Sequence, residues 1–117
     1  MRNAENDNLR LLDSSYKKDL DMVKVSAANT YEHEMAKAKA CIYLKKHGRR
    51  FITEAYFIGG GRADILDLTI GICYEIVKSE KPVSIDVKKE KYPLPVVIID
   101  AEHFLEEKEE NMYKYLE

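Results

Sequence analysis

The chain has 117 residues, enough for one hydrophobic core and too few for two. Apolar residues make up 45% and charged residues 34%, a globular balance that excludes a disordered or fibrous protein. The net charge of -2 gives no overall bias toward a polyanion, no apolar run reaches the roughly 18 residues that span a bilayer, and the N-terminus is too polar for a secretory signal; a soluble, intracellular, cytoplasmic protein with no membrane partner is expected.

After six polar residues, Leu9, Leu12, Tyr16, Leu20 and Val23 recur at helical spacing and predict an N-terminal helix. Asn29 or Thr30 caps a second helix that runs through Lys46 and stops at His47-Gly48, with Met35, Ala38, Ile42 and part of Tyr43 on its inner face. From Arg50 the period changes to two. A β-branched and aromatic strand over 51–58 ends at Gly59-Gly60-Gly61, a second follows from Arg62 to Leu68, and a turn around Ile70-Gly71 returns the chain from Ile72 to Lys78 as an antiparallel meander. Ser79 caps a further helix with Pro82 in its first turn and Val83 and Val87 on its apolar stripe, closed by Tyr92-Pro93. Val96 to Ile99 is a continuous apolar run, the pattern of a strand buried on both faces and reached by a helical crossover. Asp100 caps the terminal helix. The result is one α/β domain with core order α-β-β-β-α-β, a central mixed sheet flanked by helices. A helical extension (1–28) precedes the core (29–105), and the end of a C-terminal helix (106–117) follows it.

Cys41 and Cys73 have no metal or disulfide spacing and read as small buried apolar residues. Lys45, Lys46, His47, Arg49 and Arg50 form a basic knot, and Lys78, Lys81, Lys88, Lys89 and Lys91 a second, while the last helix is acidic. That pattern fits a DNA-binding face and equally an ordinary solvated surface.

Asp64 and Glu75 are the informative anomaly: carboxylates inside apolar strands are costly unless paired or holding a metal. With an even loop between the strands, residues 64, 66 and 68 share a face with 73, 75 and 77, and the two carboxylates converge. Oxygen ligands of this kind suit Mg²⁺ or Mn²⁺, which polarise a phosphodiester and lower the pKa of water. The structural alternative pairs Asp64 with Arg62 or Lys78 at the sheet edge.

The element order, the run Gly60-Gly61-Arg62-Ala63-Asp64-Ile65-Leu66-Asp67-Leu68, the run Tyr74-Glu75-Ile76-Val77-Lys78-Ser79-Glu80 and the helical His33-Glu34-Met35-Ala36-Lys37 together resemble the PD-(D/E)XK nuclease superfamily. The likeness spans about residues 30 to 105 and is to small archaeal and phage members of its Holliday-junction-resolvase and restriction-endonuclease branches. It implies a restriction-endonuclease-like core, Asp64 and Glu75 as metal ligands, the Ile76 carbonyl as a backbone ligand and Glu34 as an outer or water-mediated one. The pattern departs at its lysine. The expected place is Val77, and Lys78 comes one residue later, facing away unless a β-bulge re-aims it. Lys37, three residues after Glu34 on one helix face, is the other candidate.

His33 in a first helical turn reads as a surface or capping residue before it reads as a ligand, Glu54 as half of a cross-strand ion pair, and Glu80 as a helix N-terminal charge. The three glycines precede a strand and so make no phosphate-binding loop. Arg62, Lys45, Arg49 and Arg50 are the candidate phosphate contacts. The expectation is a metal-dependent DNA endonuclease, selective for a DNA structure such as a branch and acting as a homodimer. The alternatives are a catalytically inactive nuclease-fold module that binds nucleic acid or protein, and a purely structural dimeric protein.

Overall fold

The computed structural model describes residues 4–13, 19–78 and 92–116. In chain order these form α1 (Ala4–Leu9), α2 (Tyr31–Lys46), β1 (Phe51–Tyr56), β2 (Arg62–Asp67), β3 (Ile72–Val77), β4 (Val96–Asp100), α3 (Ala101–Glu106), a 3₁₀ turn (Glu109–Asn111) and α4 (Tyr113–Leu116). The helix expected between Ser79 and Tyr92 lies outside the described residues. No helix among those described is long and apolar enough to cross a membrane.

Four strands make one mixed sheet in the order β1-β2-β3-β4, antiparallel except for the parallel β3–β4 pair. The four-residue β2–β3 loop is even. It sets Leu66 opposite Cys73 and Ile65 opposite Tyr74, the register that loop parity predicts. Asp67 builds that turn by accepting the Thr69 and Ile70 N–H groups on Oδ1, and Gly71 closes it at a φ of +72°.

α2 packs on one face of the sheet together with the C-terminal segment, where Tyr43, Leu44, Phe51, Ile65, Tyr74, Ile99, Phe104 and Leu116 form the larger core. Thr30 caps the helix by accepting the His33 N–H, and Gly48 ends it at a φ of +71°. The inner face is only partly the one expected: Tyr43 is buried, but the rest of the face is turned. Ala36, Ala40, Cys41 and Leu44 point inward, whereas Met35 and Ile42 are 45% and 56% exposed. Small residues let the helix approach the sheet closely, and that packing outweighs the ranking of side chains by hydrophobicity. Burial pushes both cysteine thiols up to about 12, as befits inert packing residues.

On the other face, Leu12, Ile52, Ala55, Phe57, Ala63, Leu66 and Cys73 form a second cluster covered by the N-terminal residues. Here the predicted N-terminal helix is corrected. It stops at Leu9, Leu12 makes a β-bridge with Phe57, and Leu20 and Val23 are not helical; Tyr16 is outside the described residues. Main-chain bonds draw this segment along the outer side of β1: the Asp13 N–H reaches the Tyr56 carbonyl, Ile58 reaches Leu11, Asp21 reaches Phe51, and Lys24 donates to Thr53 Oγ1. Pairing to the sheet satisfies backbone groups that a longer helix would have kept to itself.

Two further expectations change. Among the described residues β4 lies at the edge of the sheet, and only Ile99 of its apolar run is fully buried. The terminal helix does begin at Asp100, which accepts the His103 N–H, but it breaks after Glu106 into a 3₁₀ turn and α4. Lys39 holds that break by donating to the Phe104, Leu105 and Glu107 carbonyls.

Candidate active site

Regular alternation fails at one place in the meander. Ile52 and Ala55 on β1 face the same cluster, as do Ala63 and Leu66 on β2, spacings of three where a pleat demands two or four. The skipped positions coincide: Thr53 pairs with Ile65 and Ala55 with Ala63, while Glu54 and Asp64 between them are left out of the ladder. Glu54 sits at a φ of +54°, a left-handed conformation that costs about 1–3 kcal/mol outside glycine. Losing phase on both strands at once re-aims Glu54 and Asp64 toward α2.

Asp64 enters the seam between β2 and β3. Their register ends at Ile65–Tyr74, and the Asp64 carboxylate takes the Ile76 N–H at 2.8 Å in place of a main-chain acceptor. His33 Nε2 lies 3.2 Å from the same oxygen, and the Glu75 carboxyl lies against Asp64. Burial by itself would raise Asp64, but these contacts with His33, Glu75 and Ile76 hold it below the usual aspartate range. The Tyr92 hydroxyl is 2.6 Å from both Glu75 Oε1 and the Arg62 carbonyl; burial and the Glu75 charge raise its pKa, so it stays a donor.

Behind this pair, α2 carries a buried ion network. Glu34 accepts from the Ser26 N–H, Asn29, His33 and Lys37, at 2.9, 2.9, 2.8 and 2.7 Å. Burial opposes its charge, yet the Lys37, Ser26, Asn29 and His33 bonds bring it down to about 2. Lys37 is fully buried between Glu34 and Glu54. Burial would lower it, but the two carboxylates win and raise it. Arg62 Nε is 3.0 Å from Glu54 Oε2, near enough for an ion pair but misaligned for a hydrogen bond, so that oxygen is buried without a donor.

A cleft of about 640 Å³ opens over these groups, lined by His33, Asp64, Glu75, Ile76 and Tyr92, with Arg62 and Lys78 among its walls. Of the residues singled out in the sequence, Asp64, Glu75, Ile76, Arg62 and Lys78 therefore meet, with Glu34 one side chain behind through His33. Lys78 points to the rim, 3.6 Å from Glu32 and 3.8 Å from Glu102, and no bulge turns it to the carboxylates. Lys37 lies behind Glu34, outside the cleft walls.

The basic knot does not join them. Lys45 and Arg50 pair with Asp21 at the far end of α2, roughly 18 Å along the axis from His33. Arg49 leaves the surface altogether. It is 8% exposed, with Nε and Nη2 on Asp67 Oδ2 at 2.9 and 2.8 Å and Nη2 also on the Tyr74 hydroxyl and the Leu116 carbonyl. A phosphate contact at Arg49 is thereby replaced by a clamp on the C-terminus.

The donor set fits a hard divalent cation. Asp64 and Glu75 supply carboxylate oxygens, and the Ile76 carbonyl lies on the same side of its strand as the N–H aimed at Asp64. Glu34, with four donors on its four lone-pair positions, is an anchor in this arrangement and not a direct ligand. Among the described residues no three His, Cys, Asp or Glu side chains form a metal cage. Mg²⁺ is commonly bound by only one or two carboxylates and keeps several waters.

Sequence reasoning missed Tyr92 and set His33 aside. Tyr92 is the one aromatic residue between Ser79 and Pro95, the only signal it offered; His33 was marked only by its neighbour Glu34. His33 also imposes a pH dependence. Its bond to Asp64 raises its pKa, so the stability it contributes is complete below about pH 6.5 and disappears as pH rises through the folded value. Glu34 has the opposite sign, contributing above about pH 4.5 and losing that contribution as pH falls toward about 2. Urea midpoints of wild type and His33→Gln should therefore converge between pH 6 and 9; a constant gap would show that His33 does not change charge in the folded chain.

Comparison with protein-family models, with curated proteins and with solved structures finds no match to this chain.

Proposed function

We propose that the chain is a Mg²⁺- or Mn²⁺-dependent nuclease of the PD-(D/E)XK type that hydrolyses phosphodiester bonds in DNA. The observation that carries this reading is the Asp64–Glu75 pair, two carboxyls brought together from apolar strands in an open cleft. Two carboxylates held side by side repel each other, and a divalent cation between them relieves that repulsion. The ion, when bound, polarises the phosphodiester and makes water a competent nucleophile near neutral pH.

The chain's own residues do the rest. The Ile76 N–H and His33 fix the Asp64 carboxylate, and Tyr92 fixes Glu75, so neither must reorganise during reaction. Arg62, with its guanidinium 5.9 Å from the Tyr56 ring centroid, stands at the wall as a cation for the phosphate backbone. Lys78 at the rim is the lysine placed to reach substrate after leaving Glu32 and Glu102, two exposed partners that hold it weakly.

A second reading, a nucleic-acid-binding module without cleavage, is favoured by one observation: Val77 occupies the lysine's place, and Lys37 and Lys78 are both engaged by carboxylates. Incubating plasmid and branched DNA with the protein separates the two. Cleavage with Mg²⁺ or Mn²⁺ that EDTA abolishes is the expected result; DNA binding that persists with no cleavage under either metal would establish the module.

A further inference from the structure

The solvent side of α2 is as apolar as its core side. Tyr31, Met35, Ala38 and Ile42 recur in steps of four, three and four, the seam spacing of paired helices, opposite the buried Ala36, Ala40 and Leu44. Met35 and Ile42 border a groove of about 540 Å³ whose far wall is Leu105 and Met112. A helix apolar on both sides is one covered on both sides.

Its charges say by what. The first turn of α2 is acidic, with Glu32 exposed, and the last carries Lys45 and Lys46. The helix is therefore complementary to itself when reversed. A two-fold axis at its middle, beside the small Ala38, sets Met35 against Ile42 of the other copy and brings Glu32 and Lys46 together on one flank of the seam. Each contact is repeated by symmetry, the helix dipoles oppose favourably, and Ala38 at the axis permits close approach. The intrachain partners of these charges, Lys78 and Glu109, make exposed pairs that can be shared or exchanged.

We propose that a second copy of this chain docks antiparallel on the Tyr31–Ile42 face of α2. The inference does not depend on the proposed reaction, and its test uses none of the cleft residues. Sedimentation of the full chain should give a two-chain mass that dissociates on dilution, and Ile42→Glu should give a single chain with unchanged circular dichroism. Glu32→Arg and Lys46→Glu should each weaken the dimer by about tenfold, and together restore it. The register has its own readout. Met35→Cys with Ile42→Cys in one chain should oxidise to a covalent dimer, while either alone should not, because identical positions lie apart under this symmetry. A single-chain mass at every concentration overturns the proposal and leaves the groove to another segment or protein. A dimer that survives Ile42→Glu, or single cysteine variants that cross-link as well as the double, also overturns it.

Discussion

Glu75→Gln is expected to lower DNA cleavage by at least about 10³-fold, equivalent to about 4 kcal/mol of transition-state stabilisation, without loss of stability. Glutamine keeps the shape of the side chain, its oxygen still accepts from Tyr92, and its amide can donate to Asp64, so the repulsion between two neighbouring carboxylates is removed. The metal site loses a charge while the fold sheds that repulsion. Asp64→Asn should abolish cleavage too, but at a cost of about 2 kcal/mol, because the Ile76 N–H and the cationic His33 both depend on that carboxylate. Single-turnover cleavage and urea denaturation of the same preparations check both halves. Cleavage by Glu75→Gln within tenfold of wild type would remove the metal-site reading.

Arg49→Met is expected to be the most destabilising single substitution, by about 3–5 kcal/mol, enough to lower Tm by roughly 10 °C or more. Asp67 is fully buried, and Arg49 bonds it through two nitrogens while also holding Tyr74 and the Leu116 carbonyl. Removing the guanidinium strands a carboxylate in the core and frees the C-terminal segment. The companion Asp67→Asn should recover part of the loss, since a neutral amide is cheaper to bury alone. Equal stability of the single and double variants would mean that the clamp works through packing and not through charge.

How far these sites were legible depended on how local their causes are. Loop parity between Asp67 and Ile72 is local, so the β2–β3 register and the approach of Asp64 to Glu75 could be anticipated. The thiols of Cys41 and Cys73 and the caps at Thr30 and Asp100 followed from composition and spacing. The phase break at Glu54 and Asp64 was invisible, because it arises between two strands and depends on how they pair. The inner face of α2 was misread since Ala36 and Ala40 are weakly hydrophobic, and only the distance to the sheet decides whether small or large residues fit. Arg49 could not be told from Lys45 and Arg50 within one basic run; its partners Asp67, Tyr74 and Leu116 are remote in sequence. Tyr92 reaches Glu75 across 17 positions, beyond any local pattern.

The N-terminal residues that lie along β1 have a bearing on how the protein survives concentration. A border strand with open amide and carbonyl groups is a template on which a neighbour's strand can add, and repeated addition builds fibres. Here the chain's own Leu11, Asp13, Asp21 and Lys24 occupy that border at both ends of β1. The twisted backbone at Glu54 further spoils the straight run that an incoming strand would need. Lateral growth on that side is closed within each molecule, so crowding should drive the chains together by their helices before it drives them into sheets.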